Sequence, residues 1–196
     1  MKLVYLTNSK IPSERANALQ VMKMCDAFAN YADLTLLFPF RFQVNDRMKL
    51  IKDVYSYYNC TNEFNMVKIF SLDLHPISLN PTLDKIAYYI QAFSFSLLAL
   101  IRSLFLEKDV YYTRDSIPAF LLTFSRFLHR KKVYFEVHGI PRGLEGLFFK
   151  YSIINVDGVI TISNNLQEEI NFLYNNKNII TEHDGVDTKL FHKDIK

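Results

Sequence analysis

The chain has 196 residues, 49% of them hydrophobic and 15% aromatic, enough apolar surface for one large domain with a buried core. Charged residues make up 22% and the formal net charge is +3, too mild a balance to point to nucleic acid. The two cysteines, Cys25 and Cys60, have no partners at metal-ligand spacing, which argues against a zinc site and against a disulfide framework.

Short apolar runs alternate with helix-period segments along the chain. "KLVYLT" (2–7) reads as a first buried strand, behind a start too short in apolar residues for a signal peptide. Ala18, Val21, Met22, Cys25, Phe28 and Ala29 recur at helical spacing, so an amphipathic helix follows, its start marked by Pro12 and Ser13. Cys25 falls on its apolar face and reads as a buried free thiol. Strands are expected at 33–40 and 66–72, with a basic helix over 45–59 between them. The segment 83–105 is strongly apolar, yet its uncharged core from Ile86 to Ile101 is 16 residues and carries Gln91, Ser94 and Ser96. That is short of a membrane span and predicts a helix laid against a sheet.

Further strands are expected at 109–115, 131–139, 157–163 and 178–187. Helices separate them: one opened by Pro118, one over 144–155 and one over 164–174. Strands alternating with helices predict an α/β fold: a Rossmann-like, doubly wound, mainly parallel sheet of about seven strands with helices on both faces. Ligands in such sheets sit beyond the carboxyl ends of the strands. That rule selects Asn8 and Ser9, Arg114 and Asp115, His138 and Gly139, Ser163 and Asn164, and the stretch His183 to Asp187.

Glycine placement excludes several uses of this fold. The five glycines are Gly139, Gly143, Gly146, Gly158 and Gly185, so the first strand-to-helix turn has none. A GxGxxG dinucleotide fingerprint and a Walker loop are therefore absent there, and no GxSxG nucleophile elbow exists. The first turn, "NSKIPSERAN", instead places Arg15 and Asn17 near a helix N-terminus. Backbone N–H groups and the helix dipole attract anions there, and a solvated helix cap is the alternative.

The motifs "SERANALQVMKMCDAFA", "DVYYTRD", "FEVHG", "DGVITISNNLQEEI" and "EHDGVDTKLF" occur in that order. Together they resemble the N-terminal domain of GT-B glycosyltransferases of the family-4 retaining type, over essentially the whole chain. Two departures are visible: Asp184 stands where the family usually has Asn before Gly, and "SERANA" replaces the glycine-rich first loop. The resemblance implies a Rossmann-like acceptor-side domain over 1–187. It implies that 188–196 begin a hinge to a C-terminal domain that binds the nucleotide-sugar donor and completes the enzyme. Without that partner domain the chain is expected to be inactive. A nucleotide-sugar epimerase half and a non-catalytic sugar-binding module of a split enzyme are the alternatives.

By the same resemblance, His138 contacts the transferred sugar, through its ring or its carbonyl. On spacing alone it reads rather as a hydrogen-bonded strand-end histidine. Gly139 is expected to let backbone approach closely. Asn8, Ser9, Arg15, Asn17, Arg114 and Asp115 are expected around donor phosphate or acceptor, with an Arg114–Asp115 ion pair as the alternative. Ser163 and Asn164 bind ligand or cap the next helix. Asp184, Gly185 and Asp187 are expected to shape the hinge, Gly185 in a turn conformation closed to other residues. No cofactor or metal is implied. The acceptor is expected to be a glycan or a lipid-linked sugar, in the cytoplasm or at the inner face of a membrane. Arg41, Arg47, Lys49 and Lys52, beside Phe38, Phe40 and Phe42, form a basic-aromatic segment suited to peripheral membrane contact or to a solvated helix face.

Overall fold

A computed structural model describes residues 1–74, 80–175 and 178–185. Seven strands form one wholly parallel sheet: β1 (Lys2–Leu6), β2 (Asp33–Pro39), β3 (Asn65–Ile69), β4 (Val110–Thr113), β5 (Lys132–Val137), β6 (Gly158–Thr161) and β7 (Ile179–Thr181), in the order β3-β2-β1-β4-β5-β6-β7. The doubly wound α/β expectation is met. The register runs Tyr5 opposite Leu36 on one side of β1 and opposite Tyr112 on the other.

Alternation along each strand sends side chains to two separate cores. Leu3 and Tyr5 join the core under helix α1 (Ala16–Ala29), with Val21, Met22 and Cys25. Val4 and Leu6 join the core on the other face. That face is covered by α4 (Pro81–Leu104), α5 (Ser116–Phe124), α7 (Leu144–Asn155) and α8 (Asn164–Tyr174), through Phe95, Leu122, Phe149 and Ile170. After β3 the chain crosses back along α4 to β4, beside β1, and builds outward the other way. The strand order therefore reverses between β1 and β4, and the crevice of a doubly wound sheet opens at their carboxyl ends.

Helix α4 is long and apolar enough to cross a membrane by length and composition. One face, with Ala92, Phe95, Ala99 and Leu100, is buried against the sheet and α5. The opposite face leaves Leu83, Ile86, Leu97 and Ile101 exposed.

Three local expectations change. The helix expected over 45–59 is two single turns, α2 (Asp46–Lys49) and α3 (Val54–Tyr57). Asp53 is extended there (φ −110°, ψ 103°) and accepts from the Ser56 N–H, so it caps a new turn rather than continuing the old one. Helix α1 begins at Ala16, not at Pro12. The Tyr58 hydroxyl accepts from the Ser13 N–H and donates to the Ser13 carbonyl, both at 2.7 Å, and Gln43 donates to the Pro12 carbonyl at 2.9 Å. Those carbonyls are spoken for outside any helical ladder. The segment opened by Pro118 begins two residues earlier, at Ser116, and a second turn, α6 (Arg126–His129), follows its break at Ser125. Asp187 and residues 188–196, expected to form the hinge, lie outside the described residues.

Candidate functional site

The carboxyl ends of β1 and β4 are tied together by one carboxylate. Asp115 Oδ2 accepts from the Asn8 backbone N–H at 2.7 Å and from the Thr7 hydroxyl at 3.1 Å. Asn8 is buried, and its Oδ1 accepts from Gln91 Nε2 of α4 at 2.9 Å. Ser9 is buried as well, its Oγ accepting from Thr7 at 3.0 Å and from Asn17 Nδ2 at 3.3 Å. Asn8, Ser9, Asn17 and Asp115 thus share one network at the point where strand order reverses. Burial pushes the Asp115 carboxyl up, partly offset by the Asn8 N–H and the nearby Arg114 charge.

Beside it, β5 carries a second arrangement. Residues two apart on a strand share a face, and Glu136 and His138 meet: His138 Nε2 stands 2.5 Å from Glu136 Oε1. Glu136 is buried, and its Oε2 accepts from the Tyr112 hydroxyl of β4 at 2.7 Å. Burial alone would push the Glu136 carboxyl up, but the hydrogen bonds from His138 and Tyr112 outweigh it and hold the group below its ordinary value. Burial and the Glu136 charge push the Tyr112 phenol well up, so it stays a donor. Tyr5, edge-on to Tyr112 with ring centroids 4.9 Å apart, has a buried hydroxyl without a partner.

Arg114 does not pair with Asp115. Its Nη1 donates to Gln20 Oε1 at 2.9 Å, and Gln20 Nε2 donates to Asp184 Oδ1 at 2.5 Å. This places Asp184 beside Glu136 and His138, and the three offer ligating atoms within 4.8 Å of one another. Two ligands around one zinc ion stand about 3.3 Å apart. The 2.5 Å Glu136–His138 contact is closer than that, a hydrogen-bond distance, and a cation would have to part them.

Other sequence-selected residues are placed differently. Arg15 is exposed and forms the N-cap of α1 without a side-chain cap bond. Ser163 caps α8, its Oγ accepting from the Leu166 N–H at 3.3 Å, and Asn164 is exposed at the first helical position. The space beside Gly139 is open: apart from its chain neighbours, no described atom lies within 4 Å of where its Cβ would stand. Gly185 also has open space and no positive φ, and the residues that would continue a turn from it lie outside the described ones. The chain leaves β7 without a turn. Geometry requires glycine at Gly143, at φ 68° before α7, at Gly146, whose Cβ would meet the Pro141 carbonyl oxygen at 2.8 Å, and at Gly158, whose Cβ would meet the Tyr134 ring at 2.8 Å.

Sequence reasoning missed Glu136, Tyr112, Gln20 and Gln91. Glu136 carried a signal: a lone charge inside the apolar run "VYFEV", two residues before the histidine. Gln20 carried none, because its role depends on α1 packing next to β4.

The architecture is one Rossmann-like layer with a polar network at its switch point. No protein-family model and no curated protein matches the chain. Solved structures match it in fold. HepE from Anabaena, in complex with UDP-glucose, superposes with a TM-score of 0.61 at 12% identity, over 97% of this chain and 46% of HepE. The lipopolysaccharide outer core galactosyltransferase WaaB, in its apo form, gives 0.58 at 15% identity, over 99% and 50%. Sucrose-phosphate synthase from Thermosynechococcus elongatus gives 0.66 at 12% identity, over 97% and 50%. The chain therefore has the fold of one Rossmann-like half of GT-B glycosyltransferases, and spans about half the length of the proteins it matches.

Proposed function

We propose that the chain is the acceptor-side half of a retaining, family-4 type hexosyltransferase, which moves a sugar from a nucleotide-sugar donor to a glycan or lipid-linked acceptor. The observation that carries this reading is the Glu136–His138 pair at the carboxyl edge of β5, beside the β1–β4 switch point. The likeness in fold to HepE, which was solved with UDP-glucose, and to the galactosyltransferase WaaB supports the same reading.

In retaining transfer, positive charge grows on the sugar ring and negative charge on the leaving phosphate. The protein's task is to hold hydrogen bonds and dipoles where those charges develop. In this reading, His138 meets the transferred sugar, and Glu136 and Tyr112 fix the imidazole. Arg114 and Asp184 border the same edge. A second Rossmann-like domain holds the nucleotide. Peripheral membrane contact at the cytoplasmic side is supported by exposed Phe40, Phe42, Arg47, Lys49 and Lys52, whereas Phe38 is core.

The test is reconstitution. Joined to a GT-B donor-binding domain, the chain should release nucleotide from a nucleotide sugar in the presence of acceptor. His138→Ala should reduce that release by about a hundredfold or more. Full activity in the His138→Ala protein would sink the site assignment.

A further inference from the structure

A cavity of about 370 Å³ opens at the same sheet edge, beside the β1–α1 turn, between that turn and the segments leaving β2 and β3. That volume is at the size of a monosaccharide-scale site. Its lining combines three cations, Lys10, Arg15 and Arg41, with two carboxylates, Asp73 and Glu14. Lys10 Nζ donates to the Phe42 carbonyl at 2.6 Å. Burial and the Arg41 charge hold the Lys10 amine below its ordinary value, as expected where like charges crowd. The Arg15 side chain makes no hydrogen bond or ion pair among the described residues. It caps the 14-residue helix α1, which offers its first N–H groups at the same rim without a side-chain cap.

The second observation is Asp73. Its side chain is only 8% exposed. Oδ2 accepts from the Phe42 N–H at 2.8 Å and stands 3.9 Å from Arg41 Nε, while Oδ1 is buried and has no partner among the described residues. A buried carboxylate oxygen without a donor is costly. A ligand hydroxyl would supply one. Glu14 is the opposing acid on the rim, which leaves the cations in excess.

We propose that this cavity binds the acceptor and that the acceptor is an anionic sugar: a phosphate group held by Lys10, Arg15 and Arg41, with a neighbouring hydroxyl donating to Asp73 Oδ1. The word acceptor rests on the glycosyltransferase reading; the binding of a hydroxylated phosphate does not. Exposed Phe42 and Val44 form an apolar lip, so the phosphate belongs either to a soluble sugar phosphate or to a lipid-linked sugar.

Binding to the intact chain is measured by calorimetry with glucose 6-phosphate, glucose and inorganic phosphate, and by sedimentation with vesicles of neutral lipid carrying a glycosyl phospholipid. Glucose 6-phosphate is expected to bind at least tenfold more tightly than either fragment, and less tightly as salt rises. Arg15→Ala and Arg41→Ala should each weaken it about tenfold. Asp73→Asn keeps an acceptor for the Phe42 N–H, and should weaken glucose 6-phosphate without weakening inorganic phosphate. Unchanged melting of each variant excludes misfolding. Stronger retention on the vesicles than binding of glucose 6-phosphate identifies the lipid-linked source, and the reverse identifies the soluble one. Glucose 6-phosphate binding no tighter than inorganic phosphate, or unmoved by these variants, together with no vesicle retention, overturns the proposal. Nucleotide release onto a neutral sugar by the reconstituted enzyme would overturn the anionic acceptor alone and leave the transferase reading standing.

Discussion

Glu136 keeps its charge in a place where burial opposes it. It does so because two donors converge on it, His138 Nε2 and the Tyr112 hydroxyl. The imidazole is oriented in return: with Nε2 engaged, Nδ1 makes no hydrogen bond among the described residues and is left for a ligand. Glu136→Gln removes the charge at nearly constant volume. We expect the His138 ring N–H proton to resonate further upfield and exchange faster with water in that variant than in the unmodified chain. A spectrum indistinguishable from the unmodified chain would remove Glu136 from any positioning role. The residue-scale lesson extends to Gln91, a polar residue in the apolar helix α4. It faces Asn8 from the far side of the sheet edge, and its Oε1 has no partner among the described residues. It is buried because it braces the first turn, not because the helix tolerates stray polarity.

At the scale of elements, helix ends and turns are where sequence roles and ligand roles compete. Ser163 reads from the sequence as a ligand contact or a helix cap, and its hydroxyl is engaged as the cap of α8. Ser163→Ala should destabilise the fold by about 1 kcal/mol in chemical denaturation and leave ligand binding unchanged. A loss of binding with stability intact would return Ser163 to the site. The turn after α3 shows the same economy. Asp26, on α1, accepts from the Thr61 and Asn62 N–H groups at 3.0 and 2.8 Å and from both of their side chains. One carboxylate therefore docks the connection between α3 and β3 onto α1. No helical period or turn motif reveals such a bond, because its two halves are 35 residues apart.

For the whole molecule these carboxylates set the response to acid. Burial raises the Asp26 carboxyl, but the Asn62 and Thr61 bonds lower it by more, and Glu136 is lowered likewise. A carboxyl held low in the folded state stabilises above its unfolded value, and that contribution is lost as pH falls through the lower, folded value. Asp115 and Glu145 act in the opposite sense. Burial is the first cause for both, with the Glu136 charge adding to it at Asp115 and the Asp115 charge at Glu145, so both are raised. They favour the folded state below their unfolded values and lose that contribution as pH rises through the raised ones. Stability should therefore fall below about pH 4, where Asp26 and Glu136 protonate. Asp26→Asn combined with Glu136→Gln should flatten that fall in melting temperature, whereas Asp115→Asn should leave the acid limb in place. An acid limb unchanged in the double variant would show that other groups control it.

The sequence by itself determined the parallel α/β class, the position of most strands and the exclusion of a dinucleotide loop. Those features follow from local period and from where glycine is absent. It also determined which polar residues follow each strand, because a doubly wound sheet presents its strand ends to ligand whatever the side chains are. Tertiary structure alone decided which of those residues meet. Asp115 reaches Asn8 only because β4 lies next to β1, and Arg114 reaches Asp184 only through Gln20. It also decided that Lys10, Arg15, Arg41 and Asp73 share one cavity, although they come from three separate connections. Hydrogen bonds and charge act over a few ångströms, and in this chain the residues within that reach are often dozens of positions apart.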